Sequence, residues 1–312
     1  MEATITVEAT QPEARDRRRR PSLTQCASWG FTGLAALFLL SLIGVFLWQS
    51  LPIWQSSGIA YLTGKKWFYR EQIFGVLPMI YGTVSVSLIG LVLAVPIGVG
   101  AALCAAEILS PRLRLAVKIG VELLAGIPSV VYGLLGILFL RDWIYRILTR
   151  FDPLSGDTLL TAGLLVGIMI LPTIMSLSED ALRGVSARQR HAARGLGLTR
   201  SETVWSVVLP QAFPGIVAAV LLALGRSLGE MIAVFLVVGR QDNQWPANIF
   251  SLRPLIEAGQ TLSSKLGGSE TNIAYGDPLH WAAIINLGLL LLVMVCGVST
   301  LAYYFLKTDR HA

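Results

Sequence analysis

The sequence predicts an all-α membrane protein with about six transmembrane helices, and three observations lead to that prediction. Of the 312 residues, 54% are hydrophobic and only 14% are charged, whereas soluble domains carry about 25% charged residues. The apolar residues fall in runs long enough to cross a hydrocarbon core, which needs about 20 residues of helix. The basic residues cluster at the ends of those runs. Because a backbone in lipid must satisfy its own hydrogen bonds, we expect the runs to be helices.

Six runs have the required length and apolar character. They cover residues 29–48, 77–106, 116–140, 159–178, 213–239 and 281–306. The first is too long for the apolar core of a signal peptide and lacks a small-residue cleavage site, so we interpret it as a retained anchor. Residues 1–25 are polar, include the run Arg17-Arg18-Arg19-Arg20 and have no apolar period. They predict a disordered, basic cytoplasmic tail, followed by a transmembrane domain over residues 26–312.

The distribution of Lys and Arg predicts the orientation of the chain. With the N-terminus in the cytoplasm, the inner tails and loops hold fifteen of these residues and the outer loops hold nine. Inner loops are normally richer in positive charge, so we expect both termini on the cytoplasmic side of a bacterial inner membrane. Glu107, Glu122 and Asp180 lie at the inner ends of apolar runs, where an interfacial or loop position explains them without a function.

Two connecting segments are long, one inside at 179–212 and one outside at 240–280. The outer one contains several Pro and Gly, and its residues 252–266 have a helical pattern that predicts a helix along the outer surface. The inner one has two helix-start patterns, because Ser186 is followed three residues later by Gln and Thr199 by Glu. With Gly197 between them, we expect two short helices that end at Pro210. Such an element is suited to dock into a groove of another protein.

Several classes of function lack their sequence signatures. The three Cys and three His residues form no cluster, so no metal site is expected. The basic residues mark the ends of membrane runs, and we expect membrane lipid rather than nucleic acid around them. The string nearest to a phosphate-binding P-loop, at 58–66, has one residue too many and lacks the Ser or Thr. ATP hydrolysis is therefore expected in a separate subunit, and this chain is expected to be no enzyme and to hold no cofactor.

Arg226 and Glu230 lie inside the fifth apolar run. Even on the lower, insertion-based hydrophobicity scale, placing an Arg at the bilayer centre costs about 2.5–3.5 kcal/mol of free energy. Charged residues at this depth therefore indicate a function. Residues four apart share one face of a helix, and Gly225 and Gly229 leave a neighbouring face open for helix packing. A guanidinium can bind two oxygens of a phosphate. We predict a translocation path for an oxyanion here, with a structural ion pair that locks two helices as the alternative.

The inner segment resembles the EAA loop of ABC-importer permeases, the element that docks the ATPase in that family. The matching residues are Ala192, Ala193, Gly197, Val207, Leu209 and Pro210, with His191 at the usual acidic position. Four further strings, at 122–134, 171–173, 178–182 and 225–233, resemble PstC-type permeases of phosphate ABC importers, which belong to the MetI-like family. The resemblance covers residues 25–306.

The resemblance implies a type I importer permease with an anion path near Arg226 and Glu230. It also implies a PstA-like permease as heterodimer partner, a PstB-like ATPase dimer that binds ATP and Mg²⁺, and a PstS-like phosphate-binding protein outside. Physical reasoning alone leaves sulfate and molybdate open as substrates, because one Arg attracts any oxyanion. A secondary transporter needs no ATPase, so in such a protein the EAA-like spacing would be a coincidence. A membrane enzyme should have a cluster of His, Asp or Glu at one membrane face, and the sequence suggests none.

Overall fold

The computed structural model describes residues 23–248 and 251–308. Most of the tail predicted at 1–25 lies outside this part, so its disorder stays a prediction. The chain divides into two compact units, Met1–Val45 and Phe46–Ala312. In the first unit the described residues belong to helix α1, Leu23–Ser56, and its apolar side chains are mostly exposed. An apolar surface of this kind is expected of a helix surrounded by lipid.

The second unit consists of helices and one small hairpin of strands. Its α-helices, in chain order after α1, are α2 Ile59–Thr63, α3 Leu77–Glu107, α4 Pro111–Ala125, α5 Ser129–Leu135, α6 Arg141–Leu148, α7 Leu159–Gly184, α8 Ala187–Gly195, α9 Arg200–Thr203, α10 Leu209–Leu228, α11 Ile232–Val237, α12 Leu262–Leu266, α13 Glu270–Ala274 and α14 Pro278–Thr308. The π-helical segments are Gly136–Leu140 and Val204–Val208, and the 3-10 segments are Tyr69–Glu71, Thr149–Phe151 and Arg253–Ile256. Strands β1, Trp67–Phe68, and β2, Ile73–Phe74, pair antiparallel.

The described helices confirm the all-α membrane architecture. Five are long and apolar enough to cross a membrane: Ala27–Ser56, Leu77–Glu107, Leu159–Gly184, Arg200–Leu228 and Pro278–Phe305. A bent pair, Pro111–Ala125 with Ser129–Phe151, would make a sixth. Helices α3, α7 and α14 begin at, or within three residues of, the predicted positions.

The third predicted span, 116–140, is wrong as a straight helix. Helix α4 and the helical segment Ser129–Phe151, which begins with α5, meet at an angle of 87° across Gly126, Ile127 and Pro128. Pro128 has φ −58° and ψ 140° and carries no backbone N–H, so it ends one helix and begins the next. The proline also disfavours a helical conformation at the residue before it.

Helix α4 lies against α7 through charged side chains. The Lys118 ammonium is 2.8 Å from Asp180 and 3.5 Å from Glu179. Because α7 continues to Gly184, Asp180 belongs to that helix. The prediction of a loop position for Asp180 is wrong. Glu122, on the same helix as Lys118, is exposed, in agreement with an interfacial position.

Helices α3 and α7 form the centre of the second unit and approach each other closely at glycines. A Cβ on Gly163 would lie 2.5 Å from the Cβ of Ile89, and one on Gly167 would lie 3.0 Å from the carbonyl oxygen of Gly90. Small residues allow helix backbones this close in a membrane. The buried apolar cluster around this contact also takes side chains from α5, α10 and α11.

The segment 240–280 is folded into the protein, which corrects the prediction of a helix along the outer surface at 252–266. That stretch contains a 3-10 turn, Arg253–Ile256, and the short helix α12. Residues 262–265 are all buried. This stretch is buried around a charged centre that includes Lys265. The sequence interpretation did not find that centre.

That centre, here called the Lys265 cluster, consists of Lys265, Asp242, Glu270, Trp67 and His280. Lys265 is 3% exposed, and its ammonium donates to Asp242 (2.6 Å) and to Glu270 (2.8 Å). The Trp67 indole donates to Glu270 (2.9 Å), and His280 Nε2 lies 3.5 Å from Glu270. Burial raises the pKa of the Asp242 carboxyl, and the Lys265 charge opposes part of that rise. The cluster ties β1, α12, α13 and α14 together.

Candidate functional site

The fifth predicted span, 213–239, is broken in the middle. Helix α10 ends at Leu228, where the Gly229 N–H closes the last turn on the Gly225 carbonyl (3.3 Å). Helix α11 begins at Ile232, after three intervening residues. Arg226 and Glu230 therefore do not share one helix face, because Glu230 lies beyond the end of α10. The i to i+4 rule applies only within a continuous helix.

Arg226 occupies the last turn of α10, where a cation interacts favourably with the helix dipole. Its side chain is exposed, and one guanidinium nitrogen donates to the Thr173 hydroxyl of α7 (3.2 Å). The ion pairs of the described residues include none between Arg226 and Glu230. The described residues of this conformation therefore do not contain the alternative, a structural ion pair between these two side chains, and the role of Arg226 and Glu230 in a translocation path stays a prediction.

Glu230 has other partners. Its carboxylate accepts from the backbone N–H of Ala233 (3.4 Å), at the start of α11, and its carbonyl accepts from the Ser263 hydroxyl (2.9 Å). These two bonds satisfy backbone groups that the helix break leaves without helical partners. Glu230 thus connects the break in the span to the start of α11 and to Ser263 of α12.

The close helix contacts lie at other glycines than the two predicted. A Cβ on Gly225 would meet Ser299 at 3.7 Å, which is ordinary van der Waals contact. A Cβ on Gly229 would meet nothing nearer than backbone oxygens of its own helix at 3.7 Å and 3.8 Å. By contrast, a Cβ on Gly133 of α5 would lie 2.5 Å from Leu236 of α11.

The two broken spans therefore pack against each other, α5 on α11. Gly136, just beyond α5, continues the contact, since a Cβ there would lie 2.9 Å from Val237. The Arg226 charge is within electrostatic range of the Tyr132 phenol on α5. Interrupted membrane helices expose backbone groups and commonly form substrate sites in transporters. Arg226 stands next to such a pair of interruptions.

The predicted pair of short helices in the inner segment is present as α8 and α9, here called the α8–α9 hairpin (residues 187–203). The Ser186 hydroxyl accepts from the Gln189 N–H (3.4 Å), and Thr199 forms a reciprocal capping box with Glu202. Gly197 has φ +88°. The Leu198 N–H bonds back to the Ala193 carbonyl, and the Gly197 N–H to that of Arg194, which is the Schellman pattern of a helix end.

The prediction that the two short helices end at Pro210 is wrong, because α9 continues through a π-helical turn into α10. Pro210 has no N–H to donate to the preceding turn, and that turn is the π-helical segment Val204–Val208. The hairpin is thus rigidly continuous with the membrane span that carries Arg226. The Val204 and Val208 side chains are buried, so this turn is packed against the rest of the protein.

The matched EAA-loop residues separate into an exposed and a packed group. His191, Ala192, Gly197 and Pro210 are exposed, Val207 and Leu209 are half-buried, and Ala193 is buried. Leu196 is 82% exposed beside them. A single exposed leucine does not mark an interaction surface by itself, so the docking role of these residues stays a prediction.

Glu107, for which the sequence indicated an interfacial position without a function, forms an ion pair that the sequence interpretation did not find. It is 8% exposed at the end of α3, and its carboxylate lies 2.5 Å from the Arg190 guanidinium on α8. The two residues are 83 positions apart. A carboxylate at the end of an apolar run together with an arginine-rich segment was the available signal, but neither pattern indicates which arginine is the partner.

Comparisons with known proteins identify the family. A family model described as the inner membrane component of binding-protein-dependent transport systems matches residues 94–307. The chain is 34% identical to the phosphate transport system permease protein PstC of Mesorhizobium japonicum, with 96% of both chains covered. The chain belongs to the PstC family of transport permeases. It is also 39% identical to PstC 1 of Mycobacterium tuberculosis over 71% of this chain and 69% of that protein.

The fold of this PstC-family chain matches a solved permease. An inward-facing structure of the MetNI methionine ABC transporter has a TM-score of 0.53 at 19% identity, with 75% of this chain and 94% of that chain covered. The PstC-family chain is a multi-pass inner membrane permease component and not the ATPase, so an ATPase and a binding protein are its general partners. Among the described residues, no group of three or more His, Cys, Asp or Glu could hold a metal ion.

Proposed function

We propose that this chain is the permease subunit of an ATP-driven importer of inorganic phosphate and that Arg226 is the anion station in its path. The observation that carries the proposal is an exposed arginine at a break in a membrane-spanning helix, with no carboxylate partner among the described residues. The choice of phosphate is supported by the phosphate-transport relatives in the PstC family. Sulfate, which an arginine also attracts, is the competing substrate.

The chemistry of the station follows from its geometry. The guanidinium has five N–H donors, and the Thr173 hydroxyl occupies one guanidinium nitrogen. With one N–H donated to Thr173, four N–H donors of the guanidinium remain. A phosphate oxyanion can take two of them in parallel. Because the site is built on an exposed face of this chain, a partner permease would complete the other wall, and the anion can be released when the walls separate.

The partners follow the family pattern. The chain would pair with a PstA-like permease as a heterodimer and with a PstB-like ATPase dimer that binds ATP and Mg²⁺, while a PstS-like protein delivers phosphate from outside. This chain itself would bind no cofactor. Its exposed apolar side chains at Leu134, Leu138 and Phe139 are available to membrane lipid or to the partner permease.

The orientation proposed is the one that the Lys and Arg distribution favours, with both termini in the cytoplasm. The α8–α9 hairpin, within the segment 179–212, then faces the ATPase, and the segment 240–280 faces the binding protein. Closure of the ATPase dimer on ATP would move the hairpin and, through the continuous α9–α10 helix, the span that carries Arg226. The cavity would open outward, receive phosphate at Arg226, and release it inward after hydrolysis.

The test is uptake of radiolabelled phosphate into proteoliposomes that contain the full assembly, with binding protein and ATP supplied and excess sulfate as competitor. The variant is Arg226→Gln, and the matched control is Arg150→Gln, which removes an exposed arginine outside the segments assigned to the partners. A charged hydrogen bond contributes about 1.5–3 kcal/mol, so uptake by Arg226→Gln should fall roughly 10- to 100-fold. Uptake of sulfate in place of phosphate would refute the substrate, and normal uptake by Arg226→Gln would refute the anion station.

A further inference from the structure

Both limbs of the α8–α9 hairpin are attached to one residue, Glu107, at the end of α3. From the α8 limb, the Arg190 guanidinium reaches the Glu107 carboxylate at 2.5 Å. From the α9 limb, the Arg200 guanidinium donates to the Glu107 backbone carbonyl. A single position of α3 therefore receives contacts from both sides of the Gly197 turn. The hairpin cannot move relative to α3 without breaking one of these contacts.

Arg190 also binds the end of α7. Its guanidinium donates to the carbonyls of Leu182 (2.6 Å) and Val185 (3.4 Å), which are among the last carbonyls of that helix and lack helical partners. One arginine thus connects the hairpin to the ends of both central helices. Because α3 and α7 are packed together through their glycines, a displacement of α8 has to move them as one body.

One face of the α8–α9 hairpin packs against the membrane helices, and the opposite face is exposed. Arg190 and Ala193, three residues apart, point towards the membrane helices and are half-buried and buried. His191, Ala192 and Leu196 are exposed. The surface available to an ATPase is therefore distinct from the surface that holds the hairpin, so a change at Glu107 leaves the docking surface intact.

We infer that Glu107 and Arg190 are positioning residues that transmit the motion of the ATPase to α3 and α7. The inference rests on the proposed function, in which the hairpin docks the ATPase. A buried ion pair is held in one geometry because either charge left alone in the interior is costly. That rigidity makes the pair a stiff connection. Without it the hairpin can move with the ATPase while α3 and α7 stay behind, and ATP is hydrolysed without transport.

The variant that tests the inference is Glu107→Gln, which keeps the shape of the side chain and removes its charge. Glu107→Asp is the conservative variant, because it keeps the carboxylate one methylene further back. Glu122→Gln, an exposed carboxylate of α4, is the matched control. The full assembly in proteoliposomes is measured for ATP hydrolysis and for phosphate import, and the result is expressed as ATP hydrolysed per phosphate imported.

We expect Glu107→Gln to hydrolyse ATP at close to the unmodified rate and to raise the ATP used per phosphate about tenfold, since the stiff buried pair is lost. Glu107→Asp should recover most of the coupling, and Glu122→Gln should match the unmodified assembly. An unchanged ratio in Glu107→Gln would overturn the inference. Failure of that variant to assemble with the ATPase, with Glu107→Asp equally affected, would also overturn it and assign the pair to folding. An unmodified assembly that imports no phosphate would instead refute the proposed function.

Discussion

Replacement of Lys265 by Met should destabilise the segment 240–280, because it leaves two carboxylates facing each other without a cation. Lys265 is almost fully buried, and the Asp242 and Glu270 side chains are 30% and 18% exposed. Removal of one partner from a buried ion pair costs about 3–5 kcal/mol, and the partial exposure of the carboxylates places this case at about 3 kcal/mol.

The loss is measurable as a shift in the melting temperature of the detergent-solubilised assembly, followed by tryptophan fluorescence. One kcal/mol corresponds to roughly 2–4 °C for chains of 150–250 residues, and this longer chain should lie at the lower end, with a decrease of about 6 °C. The control is Lys66→Met, which removes an exposed lysine near the same hairpin of strands. It should leave the melting temperature unchanged.

The deficit of Lys265→Met should shrink on acidification. Burial already raises the pKa of Asp242, and loss of the lysine removes the charge that opposes that rise. A carboxyl whose pKa is raised by folding binds its proton more tightly in the folded state, so stability increases as pH falls from the folded pKa towards the unfolded value of about 3.9.

Two outcomes would refute this reasoning. A melting temperature that Lys265→Met leaves unchanged would mean that the ion pair contributes nothing beyond its own desolvation cost. A deficit of the same size at about pH 7.5 and about pH 5 would mean that the remaining carboxylates do not repel each other.

Two further predictions concern glycines, each with a matched glycine as control. Gly163→Ala places a Cβ against α3 at 2.5 Å and should lower the unfolding free energy by about 1–3 kcal/mol, whereas Gly100→Ala, with nothing within 4 Å, should be neutral or stabilising in the same thermal assay. Gly197→Ala forces a side chain into φ +88° at a cost of about 1–2 kcal/mol and should weaken binding of the ATPase several-fold in a titration, whereas Gly195→Ala, in the helical part of the same turn, should not. Equal effects within either pair would contradict the conformational explanation.

Features that depend on neighbouring residues could be predicted from the sequence. The start of α7 at Leu159 and the caps at Ser186 and Thr199 are confirmed, because a hydrocarbon core demands a minimum apolar length and a cap needs only a side chain three residues away. The left-handed turn at Gly197 follows from the same local rule. The spans at 116–140 and 213–239 were misjudged, since an average over about 20 residues hides a break at one proline or glycine.

The sequence by itself determined that this chain is a helical membrane protein with a capped hairpin, because length, charge placement and capping are local properties, and its resemblance to ABC-importer permeases indicated the EAA loop. The tertiary structure alone decided which charged groups meet. Arg226 is paired with Thr173 rather than with Glu230, and Glu107 is paired with Arg190 across 83 residues. Lys265 is buried between two carboxylates. These pairings depend on where helices bend and approach each other, and no pattern along one segment contains that information.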